Sequence, residues 1–507
     1  MNETQQHDQQ AQGASAGTPD QKAVAAADRL AALAMPAPVT KRLTWHGNGE
    51  QMDYDASAGT VDVREDDGTL LGTMFYLGYA QAQTDGEEPS SARPVTFCYN
   101  GGPGSSSVPI NFGGVGPVRV VPNGTAHLGM HPGVEDNPHT LLRESDLVFL
   151  DALGTGWSRV APGVDKKKVW GIDADANVFA RAIVAWLDEH DRWDSPVYLF
   201  GESYGTVRNA VTMRVLAERG VALAGVTMLS ALFDYVQSLP NSDLYYLGML
   251  PTYAATAQWF GRAGEGKDVD AWFDEAMAFA EGDYAHALLK GDRLTHDEEV
   301  RVVARMAELC GLDPEFVAAR HLRVELDDFR RELLRREGKV IGRLDTRFTT
   351  AAPTSLQRST DAFAGDDPSD AAVESAVYAA FRTHVRHVLG YRGPGIYLLN
   401  NFGEVGGAWQ WNHEQPFIGD WPMANVASDI AQTLRLNPGM RLAILGGRYD
   451  AATTWWNVEH DIAGLHLPAQ LRGRIEFHRY GCGHMAYLDG PTLEAMSADM
   501  EAFYGQA

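Results

Sequence analysis

The chain has 507 residues, 45% of them hydrophobic, with 67 acidic against 42 basic side chains and a formal net charge of -25. This composition excludes a disordered or fibrous protein and supplies a core large enough for more than one structural unit, while the negative balance repels nucleic-acid phosphates and anionic membrane surfaces. Three cysteines, Cys98, Cys310 and Cys482, are too few and too scattered for a disulfide framework or a four-cysteine metal site, which points to a reducing compartment.

Residues 1–37 are rich in Gln, Ala, Asp and Gly and read as a flexible tail. They show no basic start followed by an apolar core, and no stretch approaches the roughly 18 apolar residues of a membrane span. A soluble, cytoplasmic protein with no membrane partner is therefore expected. Next, "TVDVREDDGTLLGTMFYLGYAQ" (60–81) reads as strands turned at Asp-Asp-Gly. Short apolar runs follow at 95–100, 147–152, 197–202, 225–231, 441–447 and 474–480, as strands of a mainly parallel sheet covered on both faces would require. Between the fourth and fifth of these runs the pattern becomes that of amphipathic helices. One, "LDDFRRELLRREG" (326–338), puts Leu326, Phe329, Leu333 and Leu334 on one face and charges on the other. The organisation predicted is a tail (1–37), an α/β core (38–235), an inserted helical lid (236–395) and a return to the core (396–507).

Chemistry enters at "LFGESYGT" (199–206). Gly-x-Ser-x-Gly alone is a weak signal, since glycine and serine are ordinary turn residues. Here, however, it joins the apolar run "SPVYLF" to "TVRNAVTMRVLAER", where Val207, Ala210, Val211, Val215 and Leu216 recur at helical spacing and Gly220 marks a stop. Strand, pinched turn and helix make a nucleophile elbow that would present Ser203 to a cleft.

A serine hydroxyl is a poor nucleophile without a base and an orienting acid. In the α/β-hydrolase fold these follow in the order Ser, Asp or Glu, His. Asp450, after the run 441–447, and His484, in the glycine-flanked loop after 474–480, meet that order at strand ends, where open α/β sheets bind ligands. His484 would take the serine proton and Asp450 would fix its tautomer. "YNGGPGSSS" (99–107) follows the first core strand and offers close backbone N–H groups, so Gly102 and Tyr204 are the predicted oxyanion-hole donors. No Gly-Lys-Ser or Gly-Lys-Thr follows those glycines, against a phosphate loop, and the His384 and His387 pair has no carboxylate or cysteine set suited to zinc. Neither cofactor nor metal is predicted.

Together "NGGPGSSS", "LDALGTGWSR", "GESYGT", the aspartate of "GGRYD" and the histidine of "GCGHM" resemble the serine carboxypeptidase family, in particular a bacterial, cytoplasmic-looking branch. The resemblance runs from about residue 94 to the C-terminus and is loose in the lid. It implies an α/β-hydrolase fold and release of C-terminal amino acids from peptides with a free C-terminus, through an acyl-enzyme. It further implies that Asn100, Gly101 and Glu202 bind the substrate carboxylate and that Met485 lines the leaving-group pocket. The chain departs from many members in having Cys98 where they have Trp, Ser105 where they have Cys, and Gly114 where a second glutamate often precedes Gly-Pro. An esterase or acyltransferase could use the same triad, and a catalytically dead binding protein could keep the fold. Side-chain preference and oligomeric state are not specified.

Overall fold

The computed structural model describes residues 35–82, 93–121, 123–126, 128, 133–353, 367–416 and 418–505. The predicted N-terminal tail therefore lies almost wholly outside the described residues. Strands in chain order are β1 (Val39–Gly47), β2 (Glu50–Arg64), β3 (Leu70–Gln81), β4 (Val95–Tyr99), β5 (Val118–Val120), β6 (Val134–Asp136), β7 (Asp146–Leu150), β8 (Arg159–Val160), β9 (Val197–Glu202), β10 (Leu223–Leu229), β11 (Lys339–Ile341), β12 (Thr349–Ala351), β13 (His413–Gln415), β14 (Gly419–Trp421), β15 (Arg441–Gly447) and β16 (Ile475–Tyr480).

One sheet runs in the order β1-β2-β3-β7-β4-β9-β10-β15-β16, with β8 paired to β3. From β7 to β16 neighbouring strands are parallel, and the first three strands are antiparallel. This is the α/β-hydrolase fold. The run 60–81 does turn at Gly68, whose φ is 88°. A second hairpin, absent from the sequence expectations, joins β1 to β2 through Asn48 and Gly49, with φ of 53° and 80°. Asn-Gly favours such a turn because both central residues need positive φ.

Residues of the central strands alternate between two cores. Phe97, Leu199 and Ile444 point to one face, and Cys98, Phe200 and Leu445 to the other. Period-two alternation in which both sides are apolar is what a sheet covered on both faces demands. Helices Ile172–Glu189, Tyr204–Glu218 and Ala427–Leu436 cover the first face, and helices Pro368–Thr383 and Gly490–Tyr504 the second.

Between β10 and β15, helices Asp243–Trp259, Val269–Phe279, His296–Cys310 and Leu326–Glu332 enclose a separate core that includes Tyr253, Trp272, Met306 and Phe329. The helix expected over 326–338 stops at Glu332 and gives way to a 3-10 turn at Arg335–Glu337. Its four apolar residues are all buried, but the chain must reverse through left-handed Gly338, φ 67°, into β11. The strand expected at 225–231 likewise ends early, at Leu229. Ser230 has φ 51°, its N–H donates to Leu445 O in strand β15, and its hydroxyl donates to His484 O in the loop after β16.

Candidate active site

Ser203 stands between the C-terminal end of β9 and the helix Tyr204–Glu218, with φ 60° and ψ -127°. A non-glycine residue held there costs on the order of 1–3 kcal/mol. Its neighbours make that conformation the one that fits. A Cβ on Gly201 would lie 2.3 Å from Gly205 O, and one on Gly205 would lie 3.1 Å from Tyr99 O. Thr206 donates through its N–H (2.8 Å) and its hydroxyl (2.7 Å) to Ser203 O.

His484 and Asp450 form a buried pair, 5% and 0% exposed, with His484 Nδ1 2.7 Å from Asp450 Oδ2. The aspartate is fixed further by donors from Ala452 N (2.8 Å), Thr453 N (3.0 Å) and the Thr453 hydroxyl (2.7 Å). Burial disfavours the imidazolium, yet the Asp450 carboxylate and, more weakly, Glu202 outweigh it and hold the His484 pKa above its ordinary value. Strand ends tie the loops together. Ser203 N donates to Leu229 O (2.9 Å), Ser230 N donates to Leu445 O (2.8 Å), and the Ser230 hydroxyl donates to His484 O (2.6 Å).

The glycine loop after β4 abuts the helix start. A Cβ on Gly101 would be 2.4 Å from Tyr204 N and 2.8 Å from Glu202 O. The loop bearing Gly102 and the N–H of Tyr204 are thus adjacent, at a helix N-terminus whose first N–H groups have no partner within the helix.

Beside them, Asn100 Nδ2 donates to Glu202 Oε2 (2.9 Å) and Asn100 Oδ1 accepts from Ile110 N (2.9 Å). Glu202 is 2% exposed. Burial pushes its pKa up to about 7, against the opposing pull of His484 and the Tyr487 hydroxyl and with the help of Asp450 and Asp370. Met485 is half-buried and packs among Phe348, Ala372 and Val373, on the side of the helix Pro368–Thr383.

The sequence expectations omit several residues found here. Tyr487 donates to Glu202 Oε1 at 3.2 Å, and it follows His484 by three residues. Thr453 follows Asp450 by three, a spacing that a side-chain turn could have suggested. Asp370, its pKa pushed up to about 7 by burial and by Asp367 and Glu374, and Arg343, lowered by burial, have no local signal. His384 is buried against Phe112, and burial lowers its pKa to about 4, as for a core residue.

The fold and site define an α/β-hydrolase with a serine on a strained elbow and a buried histidine–aspartate pair at neighbouring strand ends. Residues 47–231 match a family model described as serine carboxypeptidase. Serine carboxypeptidase-like 50 of Arabidopsis thaliana is 31% identical over 193 residues, 35% of this chain and 39% of the relative. Serine carboxypeptidase-like 36 of the same plant is 27% identical over 174 residues, 34% of this chain and 33% of the relative. The matched segments thus span less than two fifths of either relative. The family-model match includes Asn100, Glu202 and Ser203 but not Asp450 or His484. Kex1(delta)P, described as a prohormone-processing carboxypeptidase from Saccharomyces cerevisiae, shares the fold, with a TM-score of 0.54 and 14% identity over 89% of this chain and 91% of that one. Among the described residues no helix is long and apolar enough to cross a membrane.

Proposed function

We propose that the protein is a serine carboxypeptidase that removes C-terminal amino acids from peptides through an acyl-enzyme. The observation that carries this reading is a buried Glu202, hydrogen-bonded to Asn100, immediately before a serine elbow. A carboxyl group that holds its proton near neutrality can bind another carboxylate, because one proton is then shared between two acids. Ser203 Oγ attacks the scissile carbonyl carbon while His484 takes its proton, and Asp450 keeps the imidazole oriented. The N–H groups of Gly102 and Tyr204 stabilise the oxyanion. The C–N bond breaks as His484 returns the proton to the leaving amine. Water, deprotonated by His484, then hydrolyses the ester to Ser203. Asn100, Gly101 and Glu202 hold the terminal carboxylate of the leaving residue, and Met485 lines its side-chain pocket.

The helices inserted at 236–395 would act as a lid over the strand ends, restricting the cleft to chain ends. We further assign the protein to a bacterial, cytoplasmic branch of such enzymes. Cys98, Cys310 and Cys482, all buried and unpaired, support a reducing compartment. The test is a product profile by mass spectrometry on matched free-acid and C-terminally amidated peptides. Single residues should leave the free acids at least tenfold more efficiently than the amides at about pH 6. Equal turnover of acids and amides at every pH would overturn the reading in favour of an esterase or acyltransferase.

A further inference from the structure

Gly113 and Gly114 lie in the one-turn helix Pro109–Val115, beneath the side chain of Tyr487. A Cβ on Gly113 would fall 2.7 and 2.8 Å from ring atoms Cε2 and Cδ2, and one on Gly114 would fall 2.7 Å from Cβ and from Cγ. The glycine pair is therefore the seat of a ring that is 1% exposed. From that seat the Tyr487 hydroxyl donates to Glu202 Oε1 at 3.2 Å, while Asn100 Nδ2 donates to Oε2 at 2.9 Å. Each oxygen of the buried carboxyl thus has its own neutral donor. Position 114 is also where the sequence departs from the related pattern, having glycine in place of a second glutamate.

Building on the carboxypeptidase reading, we propose that Tyr487 is a positioning residue of the carboxylate subsite. Seated where a side chain at position 114 would lie, its hydroxyl replaces a second acidic group, orients the Glu202 carboxyl and sets the pH range over which that carboxyl binds a substrate carboxylate.

The chemistry of a phenol differs from that of a carboxylate in two ways that matter. Burial holds the Tyr487 hydroxyl well above its ordinary pKa, so it stays a neutral donor throughout the working range. The subsite then needs one proton to accept a carboxylate, where two acids and a substrate would have needed more. Donation to Glu202 also favours the ionised form, restraining the rise that burial imposes. Other ionisable groups facing Glu202 are His484 and Asp450 from their loops and Asp370 from the helix Pro368–Thr383. His484 favours the ionised form, and Asp450 and Asp370 disfavour it. The segment 109–115 carries no ionisable side chain. Removing the Tyr487 hydroxyl alone leaves all of these in place.

The experiment compares wild type, Tyr487→Phe and Gly114→Ala on matched free-acid and amide peptides, with kcat and KM measured from about pH 5 to pH 9. Active enzyme is counted by labelling Ser203 with a fluorophosphonate. Without the hydroxyl, the pH at which KM for free acids rises should move up by about one unit. At about pH 8 the rise over the low-pH plateau should then be about fivefold smaller than in wild type. KM for amides should superimpose on wild type, and the His484 limb of kcat, on which Glu202 is only a minor influence, should move far less than the free-acid KM. Gly114→Ala, which pushes the ring from its seat, should raise KM for free acids severalfold and leave amides unchanged. Free-acid profiles of Tyr487→Phe identical to those of wild type, or equal changes for acids and amides in both variants, overturn the role of Tyr487 alone. A wild type indifferent to amidation overturns that role together with the carboxypeptidase reading.

Discussion

The Ser203 half of the site, the nucleophile half on the proposed mechanism, and its His484–Asp450 half are held by different parts of the chain. Asn100, Glu202 and Ser203 lie at the ends of adjacent strands β4 and β9, and short backbone approaches at Gly101 and Gly205 lock the two loops together. Asp450 and His484 instead sit in loops gripped by residues 343–346, far away in the inserted segment. Ala451 N donates to Arg343 O (3.1 Å), Thr346 N to Tyr449 O (3.0 Å), and His484 N to Leu344 O (2.7 Å). Gly483 N adds a bond to Asp345 Oδ2 (3.1 Å). Asp367, capping the helix Pro368–Thr383, accepts from the N–H groups of Arg343 (2.5 Å) and Leu344 (3.2 Å). The insertion is therefore a brace for the loops of the His484–Asp450 pair as well as a separately packed block of helices. On the proposed mechanism, a hydrolase core carries its nucleophile on its own strands while the geometry of its base depends on an insertion.

The largest effects remove the reacting groups themselves and leave both supports intact. Ser203→Ala and His484→Ala should each lower kcat/KM by several orders of magnitude. Asp450→Asn should cost about 10⁴ in kcat, because the wrong imidazole tautomer is then favoured. The three act as one unit, so Ser203→Ala combined with Asp450→Asn should be little worse than Ser203→Ala alone. Initial rates on a free-acid peptide test this, and a Ser203→Ala enzyme with undiminished turnover would remove the mechanism.

Next come changes that break one support and spare the other. Gly101→Ala places a carbon 2.4 Å from Tyr204 N, where only backbone could give way. A displacement near 1 Å should cost about 10² in kcat, with thermal stability the lesser casualty. Asp345→Ala acts on the other half. It removes the acceptor of Gly483 N and breaks a buried ion pair with Arg347, whose Nη2 lies 2.7 Å from Asp345 Oδ2. Arg347 keeps its pair with Asp489 at 3.0 Å, so the cost should fall short of the roughly 3–5 kcal/mol of a buried charge left alone, and this variant should still melt earlier as well as lose activity. Denaturant unfolding beside kcat separates the two. A destabilised Gly101→Ala and a fully stable Asp345→Ala would reverse the comparison.

These halves differ in legibility for the same physical reason. Elbow and glycine loop are written in contiguous motifs, since backbone approach demands glycine at fixed offsets from Ser203. Asp450 and His484 follow from chain order and from their place after strands. Nothing local marks Arg343 or Leu344 as a brace, because the bonds to the Asp450 and His484 loops are made by main-chain groups there, which leave no trace in residue type. Tyr487 is hidden for a related reason. Its importance depends on Gly114 being small, a pairing across more than 370 positions that no motif spans. Asn48-Gly49 is different, a signal present in the sequence and overlooked. The early end of β10 at Leu229 depends on Ser230 reaching His484 O, which only the assembled sheet reveals.

A smaller effect tests the chemistry on the nucleophile half. Glu202 is protonated below about pH 7. KM for free-acid peptides should therefore be low in acid and rise as the pH passes upward through that value. Glu202→Gln donates a hydrogen bond at any pH, so its free-acid KM should lose this dependence. Its preference for acids over amides should fall by about tenfold. Steady-state kinetics with both peptides decide the matter, and a Gln variant that keeps the wild-type KM profile would assign the titration to another group.

The smallest effect joins the halves. Asp370 lies on the helix that Asp367 caps, within electrostatic reach of both Glu202 and His484. Its charge disfavours ionised Glu202, so Asp370→Asn should let Glu202 lose its proton earlier. Asp370 gains its charge only as the pH nears 7, so the onset of the free-acid KM rise should stay in place and its upper part should move down by about half a pH unit at most, Asp370 being the weakest of the named influences on Glu202. Stability gives the same residue a second signature of opposite sense. The Asp370 carboxyl moves from an ordinary value of 3.8 to about 7 on folding, driven first by burial and then by Asp367 and Glu374. Between those two values the folded state binds more protons than the unfolded one, so the wild type loses stability as pH rises. The asparagine variant has no such proton to lose. Its advantage in unfolding free energy should therefore be absent below about pH 4, grow to about pH 7 and stay level above it. A variant whose advantage is the same at every pH would mean that Asp370 ionises at its ordinary value, and its charge would then be present throughout the range in which Glu202 titrates.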